Sequence, residues 1–404
     1  MSYFILFSRI NKKRRNLRPS ACGDRLGGEI LIYLDHAATG GSKAPSVSSA
    51  VLAAMRCCAN PGRSGHTLSL AAAERVFACR KCLSDLFDGY GIERVVFTKN
   101  CTEALNFSIL GTLKQGDHVV TTCLEHNSVL RPLEALKRAG VITYDVAPLK
   151  NGRLLPETLA GLVKPTTRMA AVTSASNVTG ETPPLAEIKK ALPEDVLFVV
   201  DGAQGAGHIA LPMRKLGIDA LALAGHKGMG GIQGSGALLF SERMEISPLL
   251  FGGTGSESFD LGMPAFYPDR LESGTLSYPA VCSLYEGALL VKSRREEWAR
   301  KLEKTTAFFL EGLSELKGYT AYSSPNACGI CSFRHARLSS ETIAGELSER
   351  YGICVRGGLH CAPLIHRALG DFPDGLVRAS FSPEQGKKEA KALLSALKEI
   401  ARHA

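Results

Sequence analysis

No stretch of the 404 residues is apolar for long enough to cross a bilayer as a helix, so the chain reads as a soluble protein. Internal repeats and low-complexity tracts are missing too, which argues against a solenoid or a flexible scaffold. A distributed excess of one charge is also lacking. The formal net charge is +9, but Arg9, Lys12, Lys13, Arg14, Arg15, Arg18 and Arg25 against Asp24 put +6 of it in the first 25 residues. The +3 left over the rest supplies no basic face, so no nucleic-acid partner is expected. Residues 1–28 are read as a basic head outside the fold, a disordered tail or an over-extended translation start. The apolar Tyr3–Phe7 precedes the charges, the reverse of a secretory signal.

Cysteine is not scarce, with twelve in the chain, but a disulfide framework is. Cys57, Cys58, Cys123 and Cys282 sit inside apolar or helical patterns, where a thiol behaves as a small hydrophobe. Two C-x-x-C pairs, Cys79/Cys82 and Cys328/Cys331, raise a zinc site only weakly, since the second pair lies in a strand-like run. No metal is expected, and a reducing, cytoplasmic compartment follows more simply.

What is present is an ordinary globular balance, 45% apolar and 22% charged, over a length that suggests two domains. From residue 93 short β-branched runs alternate with helical patterns. Strands are expected near 95–97, 118–121, 141–144, 169–173, 196–200 and 219–223, the last closing the series. That alternation predicts an α/β fold, a mostly parallel sheet sandwiched by helices. From about Pro279 long helices and scattered strands predict a smaller α+β unit. The domains are therefore 41–280 for the large one, and 281–404 together with 29–40 for the small one.

Two buried strands end in chemistry. Val196–Val200 leads to Asp201-Gly202-Ala203-Gln204, and Ala220–Ala224 leads to Gly225-His226-Lys227. Acids and amines at the carboxyl ends of parallel strands face the crevice where such sheets bind ligands. The two are either an ordinary buried ion pair or a pyridoxal phosphate site, in which the lysine forms a Schiff base and the acid pairs with the ring nitrogen. At the first strand-to-helix junction, Cys101-Thr102 at a helix start suits a phosphate, or merely marks a helix capped by Asn100 or Thr102. His126 follows the next strand, and is a stacking or proton-passing group or a structural histidine. Asn177, in Ser-Asn-Val-Thr-Gly, is a donor to a cofactor or carboxylate, or a turn asparagine.

In order, Thr-Glu-Ala at 102–104, Glu-His-Asn at 125–127, Ser-Asn-Val-Thr-Gly at 176–180, Asp-Gly-Ala-Gln at 201–204 and Gly-His-Lys at 225–227 resemble the class V aminotransferase family. Within it the chain is similar to the cysteine desulfurases and selenocysteine lyases. Tyr33–Thr39, Asn60–Arg63, Glu272–Thr275 and Arg356–Leu364 extend the resemblance to nearly the whole chain. It implies a fold-type I pyridoxal phosphate-dependent enzyme working as a homodimer with shared sites. Lys227 would carry the cofactor, Asp201 meet its ring nitrogen, Gln204 its phenolic oxygen, and His126 stack on it. Thr102, the backbone of Cys101 and His226 would hold the phosphate, and Thr275 would reach the phosphate of the neighbouring subunit. Asn177 and Arg378 would bind the substrate carboxylate, with Arg356 nearby. Cys361 matches the persulfide-forming cysteine, on a glycine-rich loop where His360 and Arg356 are expected to favour thiolate. The implied activity is conversion of L-cysteine to L-alanine, with sulfur passed through Cys361 to an acceptor protein. A selenocysteine lyase acting on L-selenocysteine, another C–S lyase or an aminotransferase are alternatives, and an inactive sulfur-trafficking scaffold a distant one. The chain departs from the family's habit at Ala224, where Ser or Thr usually contacts the phosphate, at Leu359 and at Glu181.

Overall fold

The computed structural model describes residues 25–26, 29–57, 59–150 and 152–402. The rest of the basic head lies outside the described residues. Arg25–Leu26 pairs antiparallel with Glu29–Ile30.

The alternating pattern forms a seven-stranded sheet. Its strands are β1 (Val95–Thr98), β2 (His118–Thr122), β3 (Thr143–Ala147), β4 (Thr167–Thr173), β5 (Leu197–Asp201), β6 (Ala220–Ala224) and β7 (Gly236–Phe240). Their order is β1-β7-β6-β5-β4-β2-β3. All pairings from β6 through to β3 are parallel. β7 corrects the expected end of the series. It follows β6 across the loop of residues 225–235, which carries Lys227, and runs antiparallel between β6 and β1, which joins the sheet only through it. A run as short as Gly-Ala-Leu-Leu-Phe has no periodicity to separate a buried strand from a loop.

Side chains alternate across the sheet and build a core on each face. Phe198 and Val200 join one cluster with α2 (Thr67–Leu86), whereas Leu197 and Val199 join another with α3 (Cys101–Leu110) and α4 (Asn127–Arg138). Helix α1 (Pro45–Cys57) precedes α2. Cys79 and Cys82 pack in the first cluster, while Cys331 and Cys328 belong to two others, so the two C-x-x-C pairs do not share a site.

The 37-residue helix α5 (Tyr278–Ser314), about 55 Å long at 1.5 Å per residue, spans the expected domain boundary. Val281, Leu284, Ala288 and Val291 pack with the large sheet. Leu302, Phe309 and Leu313 pack with the smaller unit. That unit holds an antiparallel sheet in the order β8 (Tyr319–Ala321), β9 (Ile330–His335), β11 (Leu376–Ser380) and β10 (Arg356–Gly358), with α6 (Pro363–Leu369) and the closing helix α7 (Lys387–Arg402). Ile32–Tyr33 pairs in parallel with Ile353–Cys354, and Ser380 Oγ accepts the Ala37 N–H, so the Tyr33–Thr39 segment is sewn to this unit while reaching toward the large sheet.

Candidate active site

Strand register sets the first pair of groups. β5 ends at Asp201 beside Thr173 of β4 and Ala222 of β6, and β6 runs on into Gly225-His226-Lys227. Asp201 is 3% exposed. Its Oδ1 accepts the Ala203 N–H at 2.8 Å and the Cys101 thiol at 3.3 Å. Asp201 and Lys227 line one cavity of about 480 Å³. Burial pulls the Lys227 ammonium below the ordinary lysine range, with Asp201 opposing the shift and Arg378 and Arg356 adding to it. Burial and Asp201 together push the Cys101 thiol well up, so it stays a protonated donor.

Two helices begin at the same cavity. Asn100 caps α3 by accepting the Glu103 N–H at 2.9 Å, so the capping role expected of this junction is filled, and Thr102 keeps its hydroxyl for another partner. That partner is Ser128, whose Oγ lies 2.8 Å away. His126 caps α4 by accepting the Ser128 N–H at Nδ1, 3.0 Å away, which leaves the single proton of a neutral ring on Nε2. Burial lowers its pKa to about 4, so the ring is neutral at physiological pH. His226 is likewise lowered to about 4, by burial and then by Lys227, and its Nδ1 meets Thr39 Oγ1 at 3.1 Å.

Gln204 donates to the Ala37 carbonyl at 2.9 Å and faces the cavity. Asn177 also lines it. Its Nδ2 donates to the His360 carbonyl at 2.8 Å, while its Oδ1 is buried without a hydrogen-bond partner. Cys101, Thr102, His126, Asn177, Asp201, Gln204, His226 and Lys227 thus converge on one cavity.

Cys361 reaches the rim through backbone. Its carbonyl accepts the Asn127 N–H at 2.7 Å, beside His126. His360 and Cys361 have φ of +48° and +58°, left-handed conformations that tilt the thiol outward. The Cys361 Sγ is exposed and lies 3.8 Å from Arg356 Nη2. His360 corrects the expected electrostatics. Its ring turns inward, 2% exposed, with Nε2 on the Leu376 carbonyl at 3.0 Å, and burial and Arg378 drive its pKa well down. A neutral, inward ring gives the thiol no positive charge, and Arg356 alone of the expected pair stands beside it.

Arg356 and Arg378 face each other across the β10–β11 register. Arg378 is 1% exposed, with Nη2 on Asp35 Oδ1 at 2.8 Å, Nη1 on the Asn177 carbonyl at 3.0 Å, and Nε buried without a partner. Thr275 stands apart. It is exposed and lines a second cavity of about 700 Å³ with Phe97, Leu271 and Leu284. Its loop is held by Glu272, which pairs with Arg80 at 2.5 Å and accepts the Phe97 N–H at 2.6 Å.

Sequence reasoning did not single out Ser128, the Cys101 thiol, Asn127 or Asp35. Only Ser128 carried a local signal, a hydroxyl two residues beyond His126 at a helix start. Among the described residues no group of three or more His, Cys, Asp or Glu is arranged to hold a metal, and no helix is long and apolar enough to cross a membrane.

Comparison with known proteins finds relatives over most of the chain. A "Probable cysteine desulfurase" of Methanothermobacter thermautotrophicus is 33% identical over 386 residues, 92% of this chain and 94% of its own. One of Pyrococcus abyssi, described in the same words, is 32% identical over 385 residues, again 92% and 94%. The apo structure of a cysteine desulfurase from Thermococcus onnurineus superposes with a TM-score of 0.85 at 30% identity, covering 93% of this chain and 95% of that one. The family model described as Aminotransferase class-V matches residues 32–393, and with the Asp201–Lys227 cavity at the carboxyl edge of the sheet, the chain belongs to that family.

Proposed function

We propose that this chain is a pyridoxal phosphate-dependent cysteine desulfurase, converting L-cysteine to L-alanine while Cys361 takes the sulfur as a persulfide. The observation that carries the reading is Cys361 itself, an exposed thiol 3.8 Å from Arg356 Nη2, in a turn held by Asn127 at the Cys361 carbonyl and by Asn177 at the His360 carbonyl, at the rim of the Asp201–Lys227 cavity.

The residues present fit the cofactor. A buried carboxylate with one oxygen already taken by an N–H and a thiol suits a ring nitrogen, a lysine of lowered pKa suits an aldehyde, and hydroxyls at two helix starts suit a phosphate. When bound, pyridoxal phosphate supplies an electron-withdrawing ring that weakens the Cα–H bond of a linked amino acid. Asp201 would keep the ring nitrogen protonated, His126 would cover a ring face, and Gln204 would meet the phenolic oxygen. Thr102 and His226 would hold the phosphate. Lys227 Nζ takes the Cα proton, its lowered pKa leaving a larger share as free amine. Arg378 and Asn177 orient the substrate carboxylate. The Cys361 thiolate then attacks the substrate sulfur. An S–S bond forms, the Cβ–S bond breaks with its electron pair left on carbon, and protonation there yields alanine. One L-cysteine and one enzyme thiol give one L-alanine and one enzyme persulfide.

The separation of the exposed Thr275 from the Lys227 cavity supports a homodimer in which it serves the neighbouring site. Leu70 and Phe77, seven residues apart on one side of α2, are exposed and offer apolar surface for such a contact. The described cysteines are free thiols, which fits a reducing, cytoplasmic setting and a sulfur-acceptor protein meeting Cys361.

The test is incubation of the cofactor-loaded protein with L-cysteine and mass analysis of the peptide bearing Cys361. The expected product is that peptide one sulfur atom heavier, together with alanine. Alanine with no added sulfur on Cys361 would sink the persulfide step.

A further inference from the structure

Resting on the pyridoxal phosphate reading, we propose that the hydroxyl of Ser128 is a direct ligand of the cofactor phosphate, supplying a donor that position 224 does not. Ala224 ends β6 on the wall of the Lys227 cavity, 2% exposed, with only a methyl group to offer. Ser128 lines the same cavity. It is the second residue of α4, as Thr102 is of α3, and the two hydroxyl oxygens lie 2.8 Å apart.

The hydrogen count frees this group for a ligand. Ser128 Oγ lies 2.9 Å from His126 Nδ1, but that nitrogen already accepts the Ser128 backbone N–H at 3.0 Å. The histidine therefore does not need the hydroxyl proton. Thr102 and Ser128 hold two O–H donors, and their mutual contact uses only one. A dianion at the junction takes both, each oxygen turning its proton outward. Electrostatics select this end of the cavity for an anion. The Asp201 carboxylate disfavours an anion beside itself, whereas the first turns of α3 and α4 both present positive dipole ends at the Thr102–Ser128 junction.

The experiment compares pyridoxal 5′-phosphate with pyridoxal, which lacks the phosphate, by titrating each into the stripped full-length protein and reading the Lys227-dependent absorbance. Ser128→Ala is expected to weaken pyridoxal phosphate about tenfold, one hydrogen bond to a charged group, and to leave pyridoxal unchanged. Ser128→Thr should bind like wild type, and adding Ala224→Ser to Ser128→Ala should recover most of the loss. If the alanine variant melts at a markedly lower temperature, Ser128→Cys, similar in size with a weak donor, carries the same expectation. Equal loss for both aldehydes, or no loss for either, overturns the assignment. A wild type that develops no Lys227-dependent absorbance with either aldehyde refutes the cofactor reading instead, and this inference with it.

Discussion

The side-chain amide of Asn177 donates to the backbone carbonyl of His360 across 2.8 Å, tying the loop after β4 to the turn that presents Cys361. A residue lining the Asp201–Lys227 cavity thereby also restrains the turn that carries the thiol. The turn contains two consecutive non-glycine residues of positive φ, a conformation that persists only when surrounding contacts hold it. The Asn127 N–H to the Cys361 carbonyl is the second such contact.

Asn177→Ala is accordingly expected to slow sulfur transfer by roughly tenfold or more and to speed alkylation of Cys361 by iodoacetamide. Stopped-flow transfer rates and alkylation rates measured on one preparation check this. Unchanged alkylation would mean that the amide does not restrain the turn.

Cys361→Ala is expected to abolish sulfur delivery to an acceptor while leaving cofactor uptake at Lys227 intact, because the thiol lies outside the cavity lining. Absorbance titration and labelled-sulfur transfer separate the two. A variant that still delivers sulfur with small thiols excluded would remove Cys361 from the reaction.

Glu125 is buried, with Oε1 accepting from Thr122 Oγ1 at 2.6 Å and from the Thr173 N–H at 2.9 Å, and Oε2 without a partner. Burial lifts its pKa from 4.5 to about 8. A raised carboxyl pKa helps stability below the unfolded value near 4.5, and that help is lost as pH rises through about 8. Glu125→Gln should therefore gain melting temperature relative to wild type between pH 5 and pH 8. The buried neutral histidines act in the opposite sense. His36, His126, His208 and His226 are each lowered from 6.5 to about 4, so the unfolded chain binds their protons first and stability falls as pH drops from 6.5 toward 4. Chemical denaturation across this range should show both slopes, and a Glu125→Gln difference independent of pH would refute the buried-acid assignment.

Asp35→Ala strips Arg378 of its carboxylate partner and leaves a buried charge. The expected cost is about 3 kcal/mol in urea unfolding, with Asp35→Asn costing less because it keeps an acceptor. Equal stability of Asp35→Ala and wild type would mean that Arg378 finds another partner.

Most of the large sheet was legible because buried parallel strands are continuous apolar runs separated by amphipathic helices. The strand β7 was not, since a run as short as the five residues Gly236–Phe240, after a loop, carries no period. The junction residues from Cys101 to Lys227 were legible as candidates because each follows a strand and precedes a helix or turn. Their convergence on one cavity was not, because it depends on a strand order that brings β4, β5 and β6 side by side. Electrostatics around Cys361 were read only in part. Adjacency in sequence suggested that His360 would serve the thiol, but a turn of two left-handed residues sends the two side chains opposite ways.

By itself, the sequence determined the strand-helix alternation, the carboxylate and lysine at two strand ends, and the cysteine within a glycine-rich segment. These depend on local propensity and burial pattern, which a single chain segment carries. Tertiary structure alone decided that Ser128 meets Thr102, that the Cys101 thiol faces Asp201, that Arg378 pairs with Asp35, and that Asn177 holds the Cys361 turn. Those contacts join residues between 26 and 343 positions apart, and side chains so distant acquire a partner only when packing fixes the elements that carry them.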